Sequence, residues 1–96
     1  MQRSETLQEY ACEVAQQDLR LWYRLVRRLA DGREMYDLIV GLEQGGERES
    51  CTLWDIAPDE RKAVALYELF KSELVTPIHA EEIMAELLSD WEYVWG

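Results

Sequence analysis

Two dipeptides, Asp31-Gly32 and Gly45-Gly46, constrain this chain more than any other feature, because each sits between runs rich in strand-forming residues. The first separates "LRLWYRLVRRLA" from "REMYDLIVGL", and the second separates that run from "RESCTLWDI". A two-residue hairpin of type I′ needs positive φ at both central positions, which such pairs supply at little steric cost. Each turn fixes a register, and each register can be checked against the other. With Asp31-Gly32 at the bend, Leu25 opposes Leu38, Tyr23 opposes Val40 and Leu21 opposes Leu42. With Gly45-Gly46 at the next bend, Leu38 opposes Leu53, Val40 opposes Cys51, and Glu43 opposes Arg48 as an opposite-charge pair. Side chains alternate with period two, so all these apolar pairs fall on one face. The agreement predicts a three-stranded antiparallel meander.

The other face of that sheet is mixed. It carries Trp22, Arg24, Val26 and Arg28 on the first strand, Met35, Asp37 and Ile39 on the second, and Thr52 and Trp54 on the third. Trp22, Ile39 and Trp54 are candidate partner-binding residues, since contiguous exposed apolar area often marks a contact surface. Cover by the amino-terminal segment, or aromatics resting on arginine stems, would account for the same residues without a partner.

For residues 1–18 a short helix, an extra strand or a loose arm all remain open. A helix over residues 5–29 is the rival reading, with Leu7, Ala11, Val14, Leu21, Leu25 and Leu29 near helical spacing. Asp18 interrupts that stripe, and a strand from about Leu19 explains its two neighbours as well. The expected organisation is an amino-terminal arm or extra short element over 1–18 and a single α+β domain over 19–96.

The second half switches to helical period. "APDERKAVALYELFKSEL" places Pro58 at a helix start with Asp59 and Glu60 in the first turn, where a missing donor costs nothing and acidic groups complement the helix dipole. Ala63, Leu66, Tyr67, Phe70 and Leu74 form its expected inner stripe. Thr76 and Pro77 then read as the structural start of a second helix, the threonine hydroxyl as cap and the proline as a preorganised first residue. Ile78, Ile83, Met84, Leu87 and Trp91 give that helix its expected inward stripe. The two C-terminal helices are expected to pack on one face of the meander, burying both patterns in one contact.

His79, the only histidine, falls in the first turn of the second helix. Protonation there opposes the helix dipole, so a neutral structural imidazole is the simpler role; a catalytic base would need a nucleophile or acid beside it. Glu82, Glu86 and Asp90 recur at i,i+4 with Glu81 adjacent, an acidic stripe that would suit a basic protein partner or simply face solvent. Trp95, near the carboxyl end, is expected to cover the sheet edge or touch another chain.

Composition narrows the classes. A formal charge of −10, from 20 acidic against 10 basic side chains, repels phosphate backbones and anionic lipid. Direct nucleic-acid binding and a membrane role are not expected. Cys12 and Cys51 are the only cysteines, far apart and without further soft ligands, which fits free thiols in a cytoplasmic protein rather than a disulfide framework or zinc site. No phosphate loop, HExxH, EF-hand series or GxSxG elbow occurs, so no catalytic, metal or cofactor-binding residues are expected.

From Tyr36 to Leu88, the runs "MYDLIVGL", "WDIAPDERKAVALYELF" and "VTPIHAEEIMAEL" resemble a family of small uncharacterised bacterial proteins, found mainly among clostridia and their relatives, with a VTPIH-like helix start. That resemblance carries no activity to transfer. The expected function is a noncatalytic cytoplasmic protein-interaction or regulatory domain, meeting a basic protein or a second copy of itself. Alternatives are an acidic inhibitor of a basic nucleic-acid-binding protein, of phage or mobile-element type, and a small enzyme using His79.

Overall fold

The computed structural model describes residues 4–95, with side chains described over residues 6–87. Its strands are β1 (Ser4–Gln16), β2 (Leu19–Ala30), β3 (Arg33–Gln44) and β4 (Glu47–Leu53), followed by helices α1 (Glu60–Ser72) and α2 (Pro77–Trp95). The strands form one antiparallel sheet in the order β1-β2-β3-β4. The expected three-stranded meander is therefore corrected to four strands. Of the alternatives for the amino-terminal segment, residues 4–16 take the extra strand: they pair along β2, Gln16 opposite Leu19 and Ser4 opposite Ala30, with one irregularity between Thr6 and Gln8.

The missing strand has a physical explanation. Tyr10, Cys12 and Val14 alternate with Glu9, Ala11 and Glu13, which is strand periodicity, yet the bend into β2 contains no glycine. Gln17 itself takes the left-handed conformation there, at φ 50°. Elsewhere the turns follow the glycine rule, with positive φ at Asp31 and Gly32 and at Gly45 and Gly46. The expected registers hold at all five apolar pairs and at Glu43–Arg48.

Both helices lie on one face of the sheet, α1 over β2 and β3 and α2 over β4 and β3. Between the layers lie Leu21, Tyr23, Leu25, Leu38, Val40 and Leu53 from the sheet, Ala63, Leu66, Tyr67 and Phe70 from α1, and Ala80 and Met84 from α2. Tyr10, Cys12 and Val14 of β1 pack against the margin of this core. Tyr10 also reaches α1, donating to Glu60 at 2.8 Å and meeting the Tyr67 ring at 6.2 Å between centroids.

The helix ends refine three sequence readings. Asp59 is the α1 cap, its carboxylate accepting from the Lys62 N–H at 2.9 Å, so the helix begins two residues after Pro58. At the other end Val75 N–H donates to Phe70 O and Leu74 N–H to Lys71 O, a Schellman closure that places Leu74 at φ 52°. Leu74 is thereby turned out to 37% exposure and Val75 takes the buried position expected of it. Ile78, expected to face inward, is 78% exposed, while Pro77 and Ala80 turn toward the sheet. The side chains of Trp91 and Trp95 lie outside the described residues.

Candidate functional site

With both helices on one face, the opposite face of the four-stranded sheet has no covering layer among the described residues. The residues expected there arrive there by register: Trp22 opposite Gly41, Arg24 opposite Ile39, and Ile39 opposite Thr52. Amino-terminal cover is not what the structure shows, because residues 4–16 extend the sheet sideways instead of folding across it.

Among the described residues, four arginine–carboxylate pairs cross this face. Arg20 meets Glu13 at 2.6 Å, Arg24 pairs with Glu9, Arg28 grips Asp37 through Nε at 2.6 Å and Nη2 at 3.2 Å, and Arg48 meets Glu43 at 3.3 Å. Positive and negative groups therefore balance on a surface whose parent chain is strongly acidic. Both tryptophans lie under arginines: the Arg48 guanidinium sits 4.9 Å from the Trp22 ring centroid, and that of Arg28 lies 5.5 Å from Trp54. Trp54 is 68% exposed, whereas Trp22 and Ile39 are half-buried.

Gly41 sets the shape of this surface. A Cβ there would fall 1.8 Å from the Trp22 ring, so the indole lies flat across the glycine. Glycine inside a strand signals a close approach of this kind, and Gly41 facing Trp22 was the available sequence clue. Beside the indole is an open depression of about 460 Å³ bordered by Ala11, Glu13, Arg20, Arg24 and Arg48. Sequence reasoning singled out Trp22, Ile39 and Trp54; the carboxylates Glu9 and Glu13 escaped it because their strand did.

Asp37 anchors one corner. At 3% exposure it is the buried charged residue of the described core, and besides Arg28 it accepts the Asp55 backbone N–H at 2.9 Å. The bond to Asp37 raises the Arg28 pKa further and keeps the guanidinium charged. This network holds the chain where it leaves β4 with Asp55 at φ 51°, and so fixes Trp54 on the open face.

The remaining candidates lie elsewhere. His79 is exposed and meets Glu82 across one helical turn, Nδ1 to Oε2 at 3.8 Å, while its N–H closes the first turn on Thr76 O at 3.1 Å. α2 begins at Pro77, directly after Thr76, and it is the Thr76 backbone carbonyl that accepts this first-turn bond. Glu81, Glu82 and Glu86 are exposed on that helix, away from the open sheet face; the side chain of Asp90 lies outside the described residues. Cys12 and Cys51 are free thiols on β1 and β4, and burial, with Glu81 nearby, pushes the Cys51 thiol up from its ordinary value. Among the described residues no group of three or more His, Cys, Asp or Glu is arranged to hold a metal, and no helix is long and apolar enough to cross a membrane.

Residues 2–90 match a family of unknown function, DUF6514, and the chain belongs to it. No curated protein and no solved structure matches the chain.

Proposed function

We propose that this DUF6514 member is a noncatalytic protein-interaction domain of the bacterial cytoplasm that docks a protein on its open sheet face. One observation carries the reading: both helices cover the same side of the sheet, leaving Trp22, Ile39 and Trp54 among four arginine–carboxylate pairs on the other. Tryptophan and arginine are the residues most enriched in interface cores. A polyanion would find each of these arginines already engaged by a carboxylate, whereas a flat protein surface of mixed charge complements the face.

A photo-crosslinking residue at Thr52 on the open face, compared with one at Ala65 on the exposed side of α1, tests this in the native cytosol. The expected result is a protein adduct from Thr52 whose purified partner binds the wild-type chain and loses binding to Trp54→Asp. Equal adducts from both positions, or purified partner binding unaffected by Trp54→Asp and Arg24→Glu, would overturn it.

A second reading, inhibition of a basic nucleic-acid-binding protein by the acidic helix, is supported by the exposure of Glu81, Glu82 and Glu86. It predicts salt-weakened binding to a basic nuclease that is lost in the Glu82→Lys, Glu86→Lys double variant.

A further inference from the structure

Resting on the open face as a docking surface, we infer that its occupant is a second copy of this chain, packed sheet to sheet about a two-fold axis parallel to the strands. Charge restricts how two such chains can meet. From residue 56 onward there are nine acidic residues against three basic ones, so an approach through the helices sets like charge against like. The open sheet face is the place where four arginines and four carboxylates cancel.

The area suffices. Four strands about 4.8 Å apart, averaging roughly 10 residues at about 3.3 Å each, span roughly 600 Å², so two such faces bury about 1,200 Å², the lower edge of a standard specific interface. At the centre of that face Trp22 lies down on Gly41 and the guanidinium of Arg48 lies over the indole, so an aromatic surface and its cation are held in place for a partner.

Register selects the axis. A two-fold along the strands, between β2 and β3, sets β1 opposite β4 and β2 opposite β3 of the second copy. Because Arg20 and Glu43 are cross-strand partners, each Arg20 then faces the second copy's Glu43, and each Ala11 faces its Thr52. The perpendicular in-plane axis would instead set β1 on β1 and β2 on β2, opposing Arg20 to Arg28 and Glu9 to Glu13 when centred on Arg24. A symmetric interface must be complementary to itself, and at its charged ends the first axis brings Arg20 to Glu43 where the second brings arginine to arginine.

Sedimentation equilibrium of the full chain tests the proposal. The expected species has twice the 11.3 kDa chain mass at about 100 µM, a concentration well above the micromolar dissociation constants of modest interfaces. Arg20→Glu and Glu43→Arg, each folded by circular dichroism, should each weaken the dimer by about tenfold or more, because each sets like charges face to face. Mixing the two variants should restore wild-type affinity, since every altered charge then meets its opposite. Glu82→Lys on α2 should leave the dimer intact. A monomer at that concentration, or a mixture no tighter than either variant alone, would overturn the second copy as occupant. A different protein captured at Thr52 and lost with Trp54→Asp would then preserve the docking reading, while no face-dependent partner of either kind would end both.

Discussion

Tyr23 offers the most direct quantitative test of how the two layers are joined. Its side chain is fully buried on β2, and its hydroxyl donates to the Val75 carbonyl at 2.8 Å, tying the sheet to the connection between the helices. Burial pushes its pKa up to about 12, with the Cys12 charge adding to the shift, from an ordinary value of 10.0. The folded state therefore holds the phenolic proton more tightly than the unfolded chain does. This contribution is fully present below pH 10, the unfolded value, and is lost as pH rises toward 12, at about 1.4 kcal/mol per pH unit. Tyr23→Phe removes the bond and leaves the Val75 carbonyl without it, costing about 1–3 kcal/mol at neutral pH. The variant cannot lose a phenolic proton at this position, so the gap between the two proteins should shrink by about 1.4 kcal/mol between pH 9 and pH 11. Tyr10, Tyr36 and Tyr67, whose pKa values are also raised, are common to both proteins and cancel in the difference. Urea midpoints at each pH read this directly, since 1.4 kcal/mol corresponds to a change of roughly 0.5–1.4 M at typical slopes. A gap that stays constant across that range would refute the buried, hydrogen-bonded phenol as the source of alkaline sensitivity.

Three further substitutions probe other joints. Asp37→Ala strands the Arg28 guanidinium and the Asp55 N–H together, and chemical denaturation should show a loss of about 3–5 kcal/mol, with Trp54 fluorescence changed in the native state. Gly41→Ala should lift the Trp22 indole off the sheet; the strain, of about 1–3 kcal/mol if the ring resists, is partly offset by alanine's lower entropy cost, and the indole emission should shift as its surroundings change. Leu74→Gly should stabilise the fold by about 0.5–1 kcal/mol by thermal melting, because the backbone there is left-handed and the leucine is turned outward.

How much of this could be read in the sequence follows from what each signal depends on. The β2–β3–β4 registers were legible because the glycine turns and the side-chain alternation are independent and agree at Leu38 and Val40. β1 was obscured because Gln17 turns the chain without glycine, while Leu7, Ala11 and Val14 also match a helical stripe. The inner faces of the helices were legible from period, except at their shared corner. There the Schellman closure turns Leu74 outward and Val75 inward, a consequence of backbone hydrogen bonding that hydropathy does not record, and Ile78 faces solvent in the first turn of α2. Trp22, Ile39 and Trp54 could be assigned to one surface, but its charge balance depended on Glu9 and Glu13 and so on the strand that was missed.

That balance also separates the two interaction readings by the sign of their salt dependence. Exposed ion pairs contribute little to folding, so the order of Arg20, Arg24 and Arg48 against Glu13, Glu9 and Glu43 is not accounted for by stability. It does cancel charge where another body must approach. Two chains of −10 repel through the rest of their surfaces, over a distance set by ionic strength. Raising salt from about 0.01 M to 0.15 M shortens the screening length from roughly 30 Å to 8 Å and should tighten a sheet-to-sheet dimer. Binding of the acidic α2 stripe to a basic protein should weaken over the same range, because there the attraction itself is screened. A dimer that loosens steadily with added salt would mean that cross-interface attraction, not relief of the surrounding repulsion, governs the contact, and the charge-cancelling role assigned to the open face would be wrong.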